Sequence, residues 1–528
     1  MSTRTTLSLV SGVAISREAI RLWGALLLAA LGAVVAARIS TIGFIAMAGI
    51  LLVVFAYVSF RAPRAMLVLM ILAPLVDRYV VRQTVPDSLQ RYGNALSEGL
   101  LVIVAVAILV HGRRSGRLVP AIRHPMTALM AAFVVVAAVS TVINHVSVET
   151  ASLGTLFTVD AFVLFFLARV IGFDKKAAAI AAVAFVSVAV VAGLLAIGQV
   201  VLTPNFLGLT TWSGRFGEGL RPGSIFIGQP NMLGAVVALA LPFAAFAVAR
   251  PELGNRWRAL ALVAALILGI SLVYTFSRGT WLAIAVAVAL VGLVVDRRAF
   301  VTTAVIGAAA LALAIALPRG ILLPANSQWS VDLGNATFGR IDAIASGRDL
   351  RLKFIQNGLP ILQDHPVVGS GPGTYGGGVA ADIGSPLYSR YTDGVVPTGR
   401  TVDNYWLHVF VEFGIVGGIL LLGMLGWAVI EMLKAVRGST GPRRVLLAAI
   451  AAATVLLAVD SGTEMLLEGN TTSFALWLFV GVGSLLAAPL VARTLERDDR
   501  LEPATQEAGA SIDALQPDPV VEPLGTGS

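Results

Sequence analysis

Residues 180–201 read IAAVAFVSVAVVAGLLAIGQVV, and this stretch is the plainest guide to the architecture of the chain. It contains no charged residue, and its apolar side chains cover every face of a helix. Roughly 20 such residues are needed for a helix to cross the hydrocarbon core of a bilayer. The strands of a membrane β-barrel alternate apolar and polar residues, whereas this stretch does not. The segment therefore predicts a transmembrane helix.

The composition of the whole chain agrees with this interpretation. Of 528 residues, 57% are hydrophobic and 13% are charged, whereas soluble domains are about a quarter charged. Similar stretches recur along the chain and predict an all-α, polytopic integral membrane protein with about fourteen transmembrane helices. The predicted spans are 22–38, 42–60, 64–81, 97–112, 126–144, 152–172, 177–202, 226–249, 258–275, 279–295, 299–317, 404–432, 445–461 and 472–492.

The distribution of charge predicts an orientation. The net charge of +8 is carried mainly by arginine. If the N-terminus starts in the cytoplasm, most of the Lys and Arg residues fall in cytoplasmic segments, as the positive-inside rule requires. We therefore expect a plasma or inner membrane protein with both termini cytoplasmic, and the basic charge gives no reason to expect a nucleic acid partner. The chain has no cysteine, which excludes disulfides, thiolate zinc sites and thiol nucleophiles.

This orientation divides the chain into four parts. Residues 1–317 hold the first eleven predicted spans, 318–403 form one large extracytoplasmic loop, and 404–494 hold the last three spans. The loop is rich in Gly, Pro, Asp and Asn and contains one amphipathic helix near 349–363. Loops of this length are usually functional or disordered. The acidic tail, 495–528, has few aromatic residues and is expected to be disordered.

Arginines on the outer side are the first candidates for function, because the orientation rule does not place them there. Arg215 and Arg221 lie in a glycine-rich segment that ends at Asn231. Guanidinium groups bind phosphate through forked hydrogen bonds, but the same arginines could snorkel from an interfacial loop. Arg278 lies between two apolar spans with almost no connecting loop, and a charge in that position usually marks a site or a pathway. The alternative is an interfacial arginine that snorkels outward.

The start of the twelfth span holds a second group of candidates. His408 and Glu412 are four residues apart and therefore share one helix face. A carboxylate buried in the membrane must be paired or protonated. Asp403 or Glu412 could act as a general base, or could orient arginines. Asp403 is also well placed to cap the helix N-terminus.

The large loop offers weaker signals. Arg351 opens its amphipathic helix, and His365 precedes a glycine-rich run at 369–373. This run lacks the GxxxxGK[ST] pattern of a nucleotide-binding loop, so we interpret it as a compact turn. His145 and His365 are isolated, and the chain has no HExxH or comparable zinc spacing. Any metal site would have to consist of carboxylates alone.

Together these segments resemble the O-antigen ligase and O-antigen polymerase superfamily. The resemblance covers roughly 210–420, and the residues that carry it keep the order of the family pattern. They are Arg221, Gly223, Pro230 and Asn231; Ser277, Arg278 and Gly279; Arg351 and Asp364-His365-Pro366; Gly369 to Gly373; and Asp403-Asn404, Leu407, Glu412 and Gly414. The ligases carry histidine where this chain has Asp403, so Asp403 either takes the role of base or marks a divergent, polymerase-like branch.

The resemblance implies a membrane glycosyltransferase that needs no metal cofactor. Its donor would be a polyprenyl-diphosphate-linked glycan, and a glycan or lipid acceptor would receive the sugar on the outer face, among membrane lipids. Arg221 and Arg278 would stabilise the leaving diphosphate, with Asp403 or Glu412 as the base. The further candidates for substrate binding are Arg215, Asn231, Arg351, His365, Asn404 and His408.

Two other classes of function fit the hydropathy. A polytopic transporter or flippase of a cell-envelope precursor would also need many spans and a few membrane arginines, although transporters often contain internal repeats and none is evident here. A non-catalytic scaffold for envelope assembly is compatible with the departure at Asp403. The sequence does not distinguish ligation from polymerisation.

Overall fold

The structure is a computed structural model, and it describes most of the chain between residues 41 and 488. The described residues are 41–72, 74, 93–209, 211–213, 219–226, 229–295, 297–319, 321, 339, 343, 345–347, 349–391, 401–468 and 471–488. Within them, regular structure consists of helices and one two-stranded antiparallel hairpin. The first predicted span, 22–38, and the predicted tail, 495–528, lie outside the described residues, as does Arg215.

The helices follow the predicted spans closely. The first group comprises α1 (Thr41–Arg61), α2 (Pro63–Leu72), α3 (Gly93–Arg114), α4 (Leu118–Ile122), α5 (Pro125–Ile143), α6 (Val148–Val159), α7 (Phe162–Ile171) and α8 (Lys175–Val201). The second group comprises β1 (Thr211–Ser213), β2 (Leu220–Pro222), α9 (Pro230–Val248), α10 (Asn255–Tyr274), α11 (Arg278–Val295) and α12 (Arg297–Ala316). The third comprises α13 (Leu350–Asp364), α14 (Gly378–Ile383), α15 (Pro386–Tyr391), α16 (Tyr405–Arg437), α17 (Gly441–Asp460) and α18 (Ser473–Ala488).

The length and hydropathy of these helices confirm an all-α polytopic membrane protein. Among the described residues, eight helices are long and apolar enough to span a bilayer: α5, α8 to α12, α16 and α17. The pair α6 and α7 would make nine. The apolar parts of α1, α2 and α18 are shorter. The total of fourteen spans and the side on which the large loop lies stay predictions.

One predicted span differs in shape from the expectation. The sequence predicts a continuous helix over 152–172, whereas the chain bends by 53° between α6 and α7. At the bend, the backbone N–H of Ala161 donates to the buried carboxylate of Asp160 at 2.6 Å. A side chain that satisfies the backbone locally in this way competes with the helical hydrogen bonds.

Helix α9 is the centre of the bundle and places its N-terminus at the candidate site. More of α9 is buried than of any other long apolar helix in the described chain, and it packs against α8, α10 and α17. Small residues allow such close approach of helices in a membrane. At Gly234 on α9, for example, an added Cβ would lie 3.1 Å from Oγ1 of Thr275, at the end of α10. The tight packing fixes Pro230 and Asn231 at the beginning of α9.

Several helix ends meet at one end of the bundle, which we call the polar end. It is where α9, α11, α13 and α16 begin and where α10 and α17 finish, as hydrogen bonds between these segments show. We define the polar end by residues Arg221, Asn231, Ser277–Thr280, Arg351, Asp403–Asn404 and Asp460–Glu464.

Arginines cap the carboxyl ends of helices that run away from the polar end. Arg117 donates to the carbonyl of Ile171 on α7 at 2.8 Å, and Arg258 donates to Val248 on α9 at 2.9 Å. The remaining pairs of this kind are Arg444 with Val295 on α11 and Arg443 with Leu486 on α18. Cations stabilise the carboxyl ends of helices because they satisfy the last carbonyls and the helix dipole.

Candidate functional site

Helix α16, which begins at the candidate site, is interrupted within its length. Gly414 has φ 68° and ψ −173°, so the helical hydrogen-bonding pattern breaks around it. The backbone N–H groups just beyond the break form hydrogen bonds with the large loop instead. The N–H of Ile415 donates to Pro366 at 2.9 Å, and that of Val416 donates to Val367 at 3.2 Å. The loop therefore replaces the acceptors that a continuous helix would supply.

The same loop also supplies donors to the other side of the break. The N–H of Ser370 donates to the carbonyl of Val411 at 2.8 Å, and that of Gly371 donates to the carbonyl of Glu412 at 3.0 Å. In a continuous α-helix those two carbonyls would accept from residues four positions onward. Each of these two helical hydrogen bonds is thus replaced by two with the loop, and the four backbone groups of α16 involved all keep a partner.

Two glycines make this exchange possible. Gly369 and Gly414 both have positive φ, and a Cβ added to either would overlap the backbone of the other segment. Ser140 and Asn144, at the end of α5, donate to the carbonyl of Gly369 from the opposite side. The glycine-rich run is therefore a compact, buried turn between α5 and α16. We call residues 369–376 the glycine turn.

The carboxylate of Glu412 binds the same turn. Its side chain is fully buried, and its two carboxylate oxygens accept the backbone N–H groups of Gly373 and Tyr375, each at 2.7 Å. His408 Nδ1 lies 2.7 Å from the carbonyl oxygen of Tyr375. The structure thus places both side chains behind the turn, as its supports.

The first turn of α13 brings Arg351 to the polar end. The predicted amphipathic helix near 349–363 is confirmed as Leu350–Asp364, and Asp349 caps it by accepting the N–H of Arg351 at 2.9 Å. The hydroxyl of Tyr375 donates to the carbonyl of Phe354 at 2.7 Å. The glycine turn therefore also holds the helix that carries Arg351.

Arg221 and Arg351 are joined through two further side chains. Arg221 donates from Nε to the carbonyl of Thr275 at 2.6 Å and from Nη2 to Oδ1 of Asn231 at 2.5 Å. Asn231 donates from Nδ2 to Oε1 of Glu464 at 2.6 Å. Arg351 Nη2 donates to the same Oε1 at 2.5 Å. Two arginines distant in sequence therefore share one carboxylate, one directly and one through an amide.

Asp403 is held between two backbone hydrogen bonds. The N–H of the preceding residue, Val402, donates to Gly376 at 3.0 Å, and the N–H of Tyr405 donates to Ser461 at 2.8 Å. Asp403 has φ 48°, a conformation that is uncommon for residues other than glycine but favours Asp and Asn among them. Its position is therefore imposed by the glycine turn on one side and by the segment after α17 on the other.

The side chain of Asp403 faces Arg351 and does not cap α16. Its Oδ2 lies 3.9 Å from Nε of Arg351, and 46% of the side chain is exposed. The expectation that Asp403 caps the helix is wrong, because Asn404 accepts the N–H of Leu407 at 3.0 Å and is the N-cap. Asn404 therefore has a structural contact in the position where the sequence suggested substrate binding.

Arg278 begins α11 next to the end of α17. In the same turn, the hydroxyl of Thr280 donates to Asp460 at 2.6 Å, and Thr463 donates to the other oxygen of that carboxylate at 3.0 Å. A Cβ on Gly279 would overlap Thr463. The Ser-Arg-Gly element thus lies directly against the segment that leads to Glu464.

The structure brings four predicted residues together and separates others. Arg221, Asn231 and Arg351 form one network through Glu464. Asp403 joins it by facing Arg351, and Arg278 begins the neighbouring turn. His365 follows α13 as its C-cap, where its backbone N–H donates to Ile361 at 3.0 Å.

Glu464 and Asp460 are functional candidates that the sequence did not indicate. They lie at and just beyond the carboxyl end of the predicted span 445–461, and the connection that follows carries carboxylates and no basic residue. The positive-inside rule counts Lys and Arg and gives little weight to acidic residues. Acidic side chains at the end of an apolar span were the available signal.

Charges at the polar end are nearly balanced. Arg221 and Arg351 face Glu464 and Asp403, whose side chains are 16% and 46% exposed. Burial raises the pKa of Glu464, whereas the charges of Arg351 and Arg221 lower it and favour the ionised form. Within the described chain, no group of three His, Cys, Asp or Glu side chains could hold a metal ion. The charged groups that the structure brings together here are guanidinium and carboxylate groups.

These features define a polytopic helical membrane protein with a polar, arginine-bearing site at one end of its bundle. Residues 263–422 match the family model described as O-antigen ligase. This match supports an O-antigen ligase-like family and a glycan-processing function in the membrane, with lipid-linked glycans as the general class of substrate. It includes Arg278, Arg351 and Asp403, whereas Arg221, Asn231 and Glu464 lie outside it. No curated protein matches the chain.

Proposed function

We propose that the chain is a membrane glycosyltransferase that transfers or polymerises glycan from a polyprenyl-diphosphate-linked donor on the outer face of the plasma or inner membrane. The observation that carries this proposal is the convergence of Arg221 and Arg351 on Glu464 at the polar end of the bundle. The acceptor is a glycan or a lipid-linked sugar whose hydroxyl attacks the donor.

The leaving group explains the need for arginines. As the glycosidic bond to the donor breaks, negative charge develops on a diphosphate attached to a lipid. Fixed cations in a site of low polarity stabilise such charge without reorganising, and the planar guanidinium binds two phosphate oxygens at once. Arg221, Arg278 and Arg351 supply the positive charge in this proposal, which therefore includes no metal cofactor. The beginnings of α9 and α11 add the positive ends of their dipoles.

Asp403 is the better of the two proposed bases. A general base must come within hydrogen-bonding distance of the attacking hydroxyl. Nearly half of the Asp403 side chain is exposed, next to Arg351. Glu412 is fully buried and both its oxygens already accept backbone N–H groups. We therefore assign proton removal to Asp403 and the support of the glycine turn to Glu412.

The direct test is glycan transfer by the purified protein in liposomes that contain a polyprenyl-diphosphate-linked glycan. We expect Arg278→Ala to lower kcat/KM about 100-fold or more, as the loss of one charge-stabilising donor does in other enzymes. Arg390→Ala is the matched control, because Arg390 is exposed on α15, outside the polar end, and it should retain wild-type activity.

Three outcomes would contradict the proposal. Normal turnover by Arg278→Ala would remove its proposed role at the diphosphate. Failure of the wild-type protein to transfer glycan from any such donor would contradict the glycosyltransferase function. Passage of a lipid-linked precursor across proteoliposomes without transfer would favour a flippase.

Deletion of the gene separates the two forms of the reaction, since long unligated chains indicate a ligase and single repeat units indicate a polymerase.

A further inference from the structure

We propose that Glu464 is a positioning residue that holds Arg221 and Arg351 as one diphosphate-binding unit. This inference rests on the proposed function and extends it to a residue outside the part of the chain that matches the family. Glu464 acts through the two arginines. It neither removes the proton nor contacts the reacting carbon.

The hydrogen-bonding chemistry of the network permits one arrangement. Arginine is a donor only, and an ionised carboxylate is an acceptor only. Asn231 lies between Arg221 and Glu464, so its oxygen must face the guanidinium and its nitrogen must face the carboxylate, as observed. Arg351 donates to the same carboxylate oxygen. Glu464 therefore sets the orientation of Asn231, and through it that of Arg221.

The position of Glu464 is itself fixed by the end of α17. The backbone N–H groups of Thr463 and Glu464 both donate to the carbonyl of Asp460, at 2.8 and 3.1 Å. The carboxylate of Asp460 is held by Thr280 and Thr463. The end of α17 therefore fixes the position of Glu464, and Glu464 in turn holds the two arginines.

A shared carboxylate solves a physical difficulty of this site. Two guanidinium groups that face one diphosphate repel each other while the site is empty, and each long side chain loses rotamer entropy when it is ordered. Glu464 offsets the repulsion and orders both groups before the donor arrives. Pre-organised cations need not rearrange as charge develops on the leaving group.

The test compares Glu464→Ala with Glu464→Gln in the liposome assay, with Glu149→Gln as the control. Glu149 is an exposed carboxylate in the first turn of α6. The Glu464→Gln variant keeps a side-chain oxygen that can accept from Asn231 and Arg351, whereas Glu464→Ala keeps neither contact. We expect Glu464→Ala to lower kcat/KM about tenfold to 100-fold, mainly by raising the KM for the donor, since hydrogen bonds to charged groups have strengths of that order. Glu464→Gln should lose less than Glu464→Ala, because it keeps the acceptor oxygen although it lacks the charge that offsets the repulsion of the arginines.

The pH profile separates positioning from proton transfer. If Glu464 only positions the arginines, the pH dependence of kcat for Glu464→Gln will match that of the wild type. Unchanged donor KM in Glu464→Ala, or equal loss of kcat in both variants together with a changed pH profile, would overturn the proposal.

A readout without activity keeps this inference distinct from the proposed function. Thermal unfolding in detergent of Glu464→Ala, Arg351→Ala and the double variant forms a cycle that measures their coupling. We expect the double variant to lose less stability than the sum of the single variants, and additive losses would overturn the shared-carboxylate arrangement. If the cycle shows coupling but the wild type transfers no glycan, the proposed function fails while the arrangement stands.

Discussion

Asp403 combines an uncommon backbone conformation with an accessible carboxylate. Its φ of 48° is held by hydrogen bonds on both sides of the residue. Non-glycine residues in this region cost of order 1 kcal/mol or more and persist where the surroundings impose them, often at functional sites. The carboxylate lies beside Arg351, and 46% of the side chain is exposed. Strain and exposure together distinguish Asp403 from the buried Glu412.

We expect Asp403→Asn to lower kcat at least about 100-fold, within the range typical of a lost general base. Asparagine tolerates positive φ nearly as well as aspartate, so the stability of the protein should change little. The measurements are kcat in the liposome assay and the thermal unfolding temperature in detergent. Wild-type kcat in Asp403→Asn would show that the proton goes to another group.

Single residues were predictable from the sequence where they broke a rule of membrane topology. Arg221, Arg278 and Arg351 stood out because they are cations on the predicted outer side. Glu464 did not, because acidic residues at that side break no rule. Its role depends on side chains more than a hundred positions away in the sequence, and such contacts are set by packing.

At the level of elements, the exchange between α16 and the glycine turn positions two residues of the site, Arg351 and Asp403. The turn anchors α13, which carries Arg351, and it fixes the residue before Asp403. It contacts none of the proposed reacting atoms itself. Its contribution to the site is therefore geometric, through two elements on either side of the polar end.

We expect Gly414→Ala to lower the free energy of unfolding by more than about 2 kcal/mol, because it adds a Cβ at positive φ that overlaps the loop backbone. The matched control is Gly423→Ala in the same helix, where an added Cβ meets no atom within 4 Å. That change should be neutral or stabilising, since alanine has the higher helix propensity. Thermal unfolding of both variants in detergent checks the difference, and equal stability would show that the interruption of α16 is dispensable.

Hydropathy located α16 but gave no sign of its interruption. Glycine is frequent in transmembrane helices, so Gly414 was not distinctive among the several glycines of that span. The break requires a second segment with matching donors and acceptors, and that segment is forty residues upstream or more. The bend between α6 and α7 was not predicted for a similar reason. Hydropathy averaged over a segment shows how apolar the segment is and carries no information on the direction of its helix axis.

At the scale of the whole molecule, the two ends of the bundle use arginine differently. At the polar end, Arg221 and Arg351 point toward a shared carboxylate. At the other end, Arg117, Arg258 and Arg444 are bound to helix carbonyls. The second group lies where the charge distribution predicts the cytoplasm, so its contacts give the positive-inside pattern a structural role in addition to its role in orientation.

The absence of cysteine allows a clean test of orientation. We expect a membrane-impermeant maleimide added to intact cells, or to spheroplasts where an outer membrane is present, to label Ser147→Cys, before α6. It should not label Ser115→Cys, after α3, until the membrane is permeabilised. Both side chains are exposed in the structure, so accessibility alone does not separate them. The reverse labelling pattern would invert the predicted topology and place the polar end in the cytoplasm.

The interleaving of α16 with the glycine turn also constrains how the protein is made. Backbone groups at the interruption remain unsatisfied until residues 366–371 occupy it, and unsatisfied groups are costly in a bilayer. The turn is synthesised before α16 and must cross the membrane first if the predicted orientation holds. The last three spans can therefore pack in their final positions only after the large loop has been translocated. The loop side of the site forms before the side that α16 contributes.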